Sequence, residues 1–103
     1  MNWVVHVNDP AGYDVYIGRP SRWGNIFSHK KSKYPVVMVD SAEEAVENYN
    51  RWLCGDIKTQ LEIPPSIEEI KKSLRGKRLG CFCKKNGNEP CHGDILVRIA
   101  NEE

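Results

Sequence analysis

Apolar residues in this chain fall first into short, strand-like runs. Residues 3–7, 14–18 and 34–39 are rich in β-branched and aromatic side chains and are bounded by turn-forming residues, a pattern that predicts strands. Pro35 restricts the third of these to a sheet edge or to the first position of a strand. A fourth run, residues 78–83, follows a Gly-Lys turn and predicts another strand.

The remaining apolar residues recur at helical spacing. Ser41 and Ser66 each stand three residues before a glutamate, the capping-box pattern of a helix start, and Gly55 and Gly76 stand where the two helices end. A third helix is predicted over residues 93–101. Between this helix and the strand at 78–83 lies a polar loop, so the order is strand, loop, helix.

Mixed strands and helices, alternating in the second half, predict a small α/β fold. We expect one domain over residues 1–103, with a partly parallel sheet and helices packed on it. A domain of this length is marginally stable, so a metal or a partner chain often adds stability, and a homo-oligomer fits this expectation. No apolar run approaches the ~20 residues needed to span a bilayer, and no signal peptide is visible. The prediction is a cytoplasmic protein without membrane contact.

Cysteines of a cytoplasmic protein stay reduced, so the four cysteines are expected to be core residues, metal ligands or reactive thiols. Cys54, at the end of the first predicted helix, is interpreted as a buried small apolar residue.

A long connection rich in Gly, Pro, Ser and Asn follows the second predicted strand. Long connections in compact domains are often functional. Arg19 and Arg22 can form paired hydrogen bonds to phosphate, and Trp23 can stack on a base or a sugar. Ser21 and Asn25 add small polar groups. A structured loop held by Trp23 in the core is the alternative without a ligand.

Charge is uneven although the net charge is only +1. No acidic residue lies between Asp14 and Asp40, whereas that window holds five cations: Arg19, Arg22, Lys30, Lys31 and Lys33. Such a patch suits an anionic ligand, but a solvated basic loop is the simpler interpretation of the three lysines. The low net charge gives no general case for nucleic-acid binding.

Three cysteines and a histidine are close in sequence near the C-terminus, and their residue types suit zinc. On a strand, Cys81 and Cys83 point to the same face, and Cys91 and His92 follow after the loop. Adjacent residues seldom both bind one tetrahedral ion without strain. We therefore favour no metal or other cofactor, with zinc on these four residues as the alternative.

Cys91, His92 and Asp94 allow two further interpretations. Cys91 could be a nucleophile at a helix N-terminus, with His92 and Asp94 as base and orienting group. In the other interpretation the helix start binds a ligand: Gly93 permits close approach to backbone N–H groups, and Asp94 accepts from a ribose hydroxyl or a base amine.

Three segments resemble one family of small phage and bacterial domains, domain of unknown function 4326. They are VYIGRPSRWGN (15–25), LRGKRLGCFC (74–83) and CHGDIL (91–96), followed by the Ala-Asn pair at 100–101. Members look like GRPSxWGNPF … LGCWC … CHGDVL. This chain departs from that pattern at Ile26, where the family has proline, and at Phe82, where it has tryptophan.

The resemblance implies that the shared motifs act together, and its phage setting suggests nucleotide or NAD-related metabolism or interference with nucleotide defence signals. We therefore expect a small phosphate-bearing nucleotide or an ADP-ribose-like ligand to bind between the 19–25 loop and the helix start at 91–94. Such a protein could sequester a nucleotide signal as a phage counter-defence protein in the cytoplasm of a bacterial host. An enzyme that processes the nucleotide, through Cys91, His92 and Asp94 or through zinc, is the first alternative. Nucleic-acid or protein binding through the basic residues 19–33 ranks below it.

Overall fold

The computed structural model describes residues 3–19, 21–59, 61, 63–82 and 91–102. Its strands are short. They are β1 (Val4–His6), β2 (Val15–Tyr16), β3 (Phe27–Ser28), β4 (Val37–Met38) and β5 (Leu79–Cys81). The helices are α1 (Ala42–Leu53), α2 (Ile67–Leu74) and α3 (His92–Ala100). The predicted α/β class, with a partly parallel sheet and packed helices, is confirmed.

β5 is the middle strand of the larger sheet. The strand order is β1-β5-β2, and both pairings are parallel. All three residues of β5 are buried, which explains why this strand lacks a polar alternation. The strands β3 and β4 form a separate parallel pair in the register Phe27 to Val37.

Helix starts follow the capping pattern of the sequence. The hydroxyl of Ser41 accepts from the amide of Glu44 at 3.1 Å, and that of Ser66 accepts from the amide of Glu69 at 3.0 Å. Cys54 is the residue that ends α1, and its side chain is exposed. The expectation that Cys54 is buried is wrong, because this position lies beyond the apolar face that the helix turns toward the core.

The helix α3 contacts most of the other elements that form the core. It packs against α1, α2, β1 and β5. Gly93 lies in its first turn, and a Cβ placed there would come within 2.7 Å of Ile17 Cδ1 and 2.8 Å of Val4 Cγ1. This glycine therefore lets the start of α3 approach the sheet closely.

Candidate functional site

A cavity of about 730 Å³ lies where β2 and β5 end and α3 begins. The end of β2 contributes Tyr16, the end of β5 contributes Cys81, and the start of α3 contributes Cys91 and His92. The carboxyl ends of parallel strands and the N-terminus of the next helix meet here, which is where α/β proteins commonly bind ligands. The opposite wall comes from residues 27–34 and the start of α1.

The lining of this cavity is cationic. Arg19, Lys30, Lys31 and Lys33 all line it, and no carboxylate does so among the residues that the structure describes. Residues 30–33, which we call the lysine loop, follow β3. Ser28 fixes the start of this loop, because its hydroxyl donates to the carbonyl of Lys30 at 2.7 Å. The three lysines are exposed, in keeping with the solvated loop interpreted from sequence, and they line the same cavity as Arg19. The acid-free window between Asp14 and Asp40 is the sequence signal for this shared positive charge.

Aromatic rings stand beside the cations. Tyr16, Tyr34 and Phe82 line the cavity, and Phe82 is 61% exposed. The rings of Tyr16 and Phe82 meet edge to face with centroids 6.1 Å apart. Burial, followed by the nearby Tyr34, raises the pKa of Tyr16, whose hydroxyl donates to the carbonyl of Arg19 at 3.1 Å. The cavity therefore offers apolar ring surface next to positive charge.

His92 is buried, and one of its ring nitrogens hydrogen-bonds to a backbone carbonyl. Its Nε2 lies 2.7 Å from the carbonyl oxygen of Ile17. Since a carbonyl can only accept, Nε2 carries the hydrogen, and the lone pair is on Nδ1. Desolvation is the largest influence and lowers the pKa of His92. The hydrogen bond to Ile17 and the nearby Cys81 and Asp94 oppose this, whereas the guanidinium of Arg19 lowers the pKa further. The basic Nδ1 lies 3.8 Å from the sulfur of Cys91.

Cys91 is the N-cap residue of α3. Its sulfur accepts from the amide of Gly93 at 3.3 Å and lies 3.1 Å from the sulfur of Cys81. The described residues include no group of three or more His, Cys, Asp or Glu side chains arranged to hold a metal ion. Cys83, the fourth residue predicted as a zinc ligand, lies outside the described residues.

The structure brings three of the predicted ligand-binding residues to the cavity: Arg19, Asn25 and His92. The amide of Asn25 already bridges the loop to α1, since Nδ2 donates to the carbonyl of Ala45 at 3.1 Å and Oδ1 accepts from the amide of Phe27 at 2.9 Å. Asn25 therefore shapes the cavity wall, and Arg19 is the charged member of the predicted loop that reaches the cavity.

Other predicted residues lie away from the lining. Arg22 pairs with Glu69 on α2, with Nε and one terminal nitrogen each 3.2 Å from a carboxylate oxygen. Trp23 packs against the core, and its carbonyl accepts from the hydroxyl of Tyr49. Ser21 and Asp94 are also outside the lining; Asp94 is exposed in the first turn of α3.

Fold and site together define a small α/β protein with a cationic cavity at the ends of two parallel strands. The family described as Domain of unknown function (DUF4326) matches residues 5–102, and the chain belongs to this family. The family predicted from the sequence is thereby confirmed.

One relative is an uncharacterized 12.4 kDa protein from the nrdA-td intergenic region of Enterobacteria phage T4. It is 36% identical over 91 residues, which cover 88% of this chain and 70% of that protein. No solved structure matches the chain. No helix in the described part of the chain is long and apolar enough to cross a membrane.

Proposed function

We propose that this protein binds a small phosphate-bearing nucleotide or an ADP-ribose-like molecule in the cationic cavity. The observation that carries the proposal is the lining of Arg19, Lys30, Lys31 and Lys33, without a carboxylate among the described lining residues. Phosphate groups are the common biological anions that such a set of donors recognises.

The volume of the cavity and the aromatic rings in its lining support a nucleotide rather than inorganic phosphate as the ligand. A volume of about 730 Å³ falls within the range of roughly 300–1,000 Å³ that is usual for small-molecule sites. Tyr16, Tyr34 and Phe82 offer faces or edges for a base or a sugar. The bound molecule would place its phosphates toward the lysine loop and Arg19, and its base toward the rings.

Sequestration of a nucleotide defence signal is the finer form of this proposal. The phage origin of the T4 relative supports it. A sequestering protein returns its ligand unchanged, and mass spectrometry of the ligand after incubation tests this.

Thermal unfolding with a panel of adenosine, AMP, ADP, ADP-ribose and NAD tests ligand binding. At 100 times its dissociation constant, a true ligand adds about 2.7 kcal/mol to the free energy of unfolding. For a chain of this length that raises Tm by about 10 °C or more. If no member of the panel shifts Tm, and Arg19→Ala behaves like the wild type throughout, the proposal fails.

Three variants distinguish ligand binding in the cavity from a general effect of positive charge on the protein surface. Arg19→Ala is expected to weaken binding about 10- to 100-fold, as expected for loss of a hydrogen-bonded charge. Lys31→Ala should weaken it by up to about five-fold, because that side chain is exposed. Lys72→Ala removes another exposed lysine, from α2 and outside the cavity lining, and should change nothing. Equal effects of Lys31→Ala and Lys72→Ala would contradict the placement of the ligand.

An enzyme that processes the same ligand is the second candidate. The observation favouring it is the basic Nδ1 of His92 beside the Cys91 sulfur, both lining the cavity. Turnover of the ligand by the wild type that is lost in Cys91→Ser would establish it; turnover that survives Cys91→Ser would remove Cys91 as the nucleophile.

A further inference from the structure

Two buried sulfurs lie in contact in the lining of the cavity. The sulfurs of Cys81 and Cys91 are 3.1 Å apart, against about 2.05 Å in a disulfide bond. Both side chains are almost completely buried, and both line the cavity. A bond between them therefore requires a movement of about 1 Å.

The backbone holds these two sulfurs in place. Cys81 is the last residue of β5, which is paired on both sides by parallel strands. Cys91 caps α3, which packs against β5. Because Cys81 lies in β5 and Cys91 caps α3, the short distance between their sulfurs follows from the packing of these two elements.

Cys91 has the surroundings of the attacking member of such a pair. The amide of Gly93 donates to its sulfur at 3.3 Å at the N-terminus of α3, an arrangement that stabilises a thiolate. The Nδ1 lone pair of His92 lies 3.8 Å from the same sulfur and can accept the thiol proton. Cys81 then stands within reach as the resolving thiol.

We propose that Cys81 and Cys91 form an oxidation site, a dithiol that a small peroxide entering the cavity converts to a reversible disulfide. The Cys91 thiolate attacks one peroxide oxygen, the O–O bond breaks, and hydroxide leaves and is protonated to water. The resulting sulfenic acid is attacked by the Cys81 thiol, the S–S bond forms, and a second water leaves. Two thiols thus supply two electrons, and hydrogen peroxide becomes two waters.

This inference stands independently of the proposed ligand. Because both sulfurs are almost completely buried, an oxidant can reach them only from the cavity that both residues line, and this burial disfavours direct attack by a bulky disulfide. The new bond would link the end of β5 to the start of α3, on the lining of the same cavity.

The test uses the Cys54→Ser/Cys83→Ser variant, in which Cys81 and Cys91 are the remaining cysteines. The folded protein is treated with hydrogen peroxide, unfolded, alkylated with iodoacetamide and weighed by intact mass spectrometry. The expected result is joint loss of both alkylatable thiols with a mass decrease of two hydrogens, restored by dithiothreitol. Adding Cys81→Ser should replace this product by oxygen addition at Cys91.

Wild-type protein provides the second measurement, because Cys81 and Cys83 share the tryptic peptide of residues 79–84. Fragmentation of its crosslink to the peptide of residues 86–98 should place the bond at Cys81, and circular dichroism should show that each variant is folded. Three results would overturn the proposal. The variant could gain oxygen without losing two hydrogens, its thiols could resist peroxide unless the protein is first unfolded, or the wild-type crosslink could lie at Cys83.

Discussion

Replacing Gly93 by alanine tests how the start of α3 sits against the sheet. The added methyl group would lie 2.7 Å from Ile17 Cδ1 and 2.8 Å from Val4 Cγ1, distances at which atoms must move. Ile17 is completely buried and Val4 is 3% exposed, so a movement of either side chain must displace its neighbours in the core. Val4 is β-branched and lies in β1, and its rotamer gives way less readily than the flexible end of Ile17.

The magnitude follows from two opposing terms. Overpacking a core by a methyl group costs about 1–3 kcal/mol. Alanine is favoured over glycine by about 1 kcal/mol in a helix interior, and by less in the first turn, where residue 93 lies. We expect Gly93→Ala to lower the free energy of unfolding by about 1–2 kcal/mol, or Tm by roughly 5–15 °C.

Urea unfolding of a double-mutant cycle measures this directly. Ile17→Val removes the Cδ1 methyl group and alone should cost about 0.5–1.5 kcal/mol. Combined with Gly93→Ala it should cost less than the sum, by about 0.5–1 kcal/mol, because it relieves one of the two contacts. Full additivity, or a Gly93→Ala protein as stable as the wild type, would refute the packing argument. Unchanged stability with loss of nucleotide binding would instead assign Gly93 to the ligand.

Three other predictions concern His92, α2 and zinc. Burial lowers the pKa of His92, so at a given pH the unfolded chain binds this proton more strongly than the folded protein does. The free energy of unfolding should therefore fall as the pH drops below about 6.5, by at most about 1.4 kcal/mol per pH unit. In urea titrations across this range, His92→Gln should flatten the dependence of stability on pH relative to the wild type; an unchanged dependence would contradict the prediction. Ser66→Ala should cost about 1 kcal/mol through loss of the helix cap, against almost nothing for Ser73→Ala, measured by urea midpoints. Elemental analysis of untagged protein should find no stoichiometric zinc; stoichiometric zinc lost together with the fold in Cys83→Ser would overturn this expectation.

Local rules predicted the helices well because their signals lie within a few residues. The N-caps predicted at Ser41 and Ser66 are present in the structure, and α3 starts at the Cys-His-Gly-Asp motif. β3 was missed, because a two-residue strand inside a loop rich in glycine and asparagine carries no periodicity, and its pairing with β4 depends on a segment ten residues away.

The lining of the cavity was predicted in part, and its function stays a prediction. Chemistry in the sequence identified Arg19, Cys91 and His92, which the cavity does bring together. Arg22 carries the same charge as Arg19 three residues away, yet it turns to Glu69 on α2. Residue type alone could not separate the two arginines, because their partners are distant in sequence.

The amino-acid sequence by itself determined the α/β class, the helix caps, the family and the acid-free basic window, since each is written in neighbouring residues. Tertiary structure alone decided that the lysine loop faces α3 across one cavity, and that the sulfurs of Cys81 and Cys91 touch. Both features depend on how β5 inserts between β1 and β2 and how α3 packs over it. Such long-range pairings are set by the burial of the whole core, which no local pattern encodes.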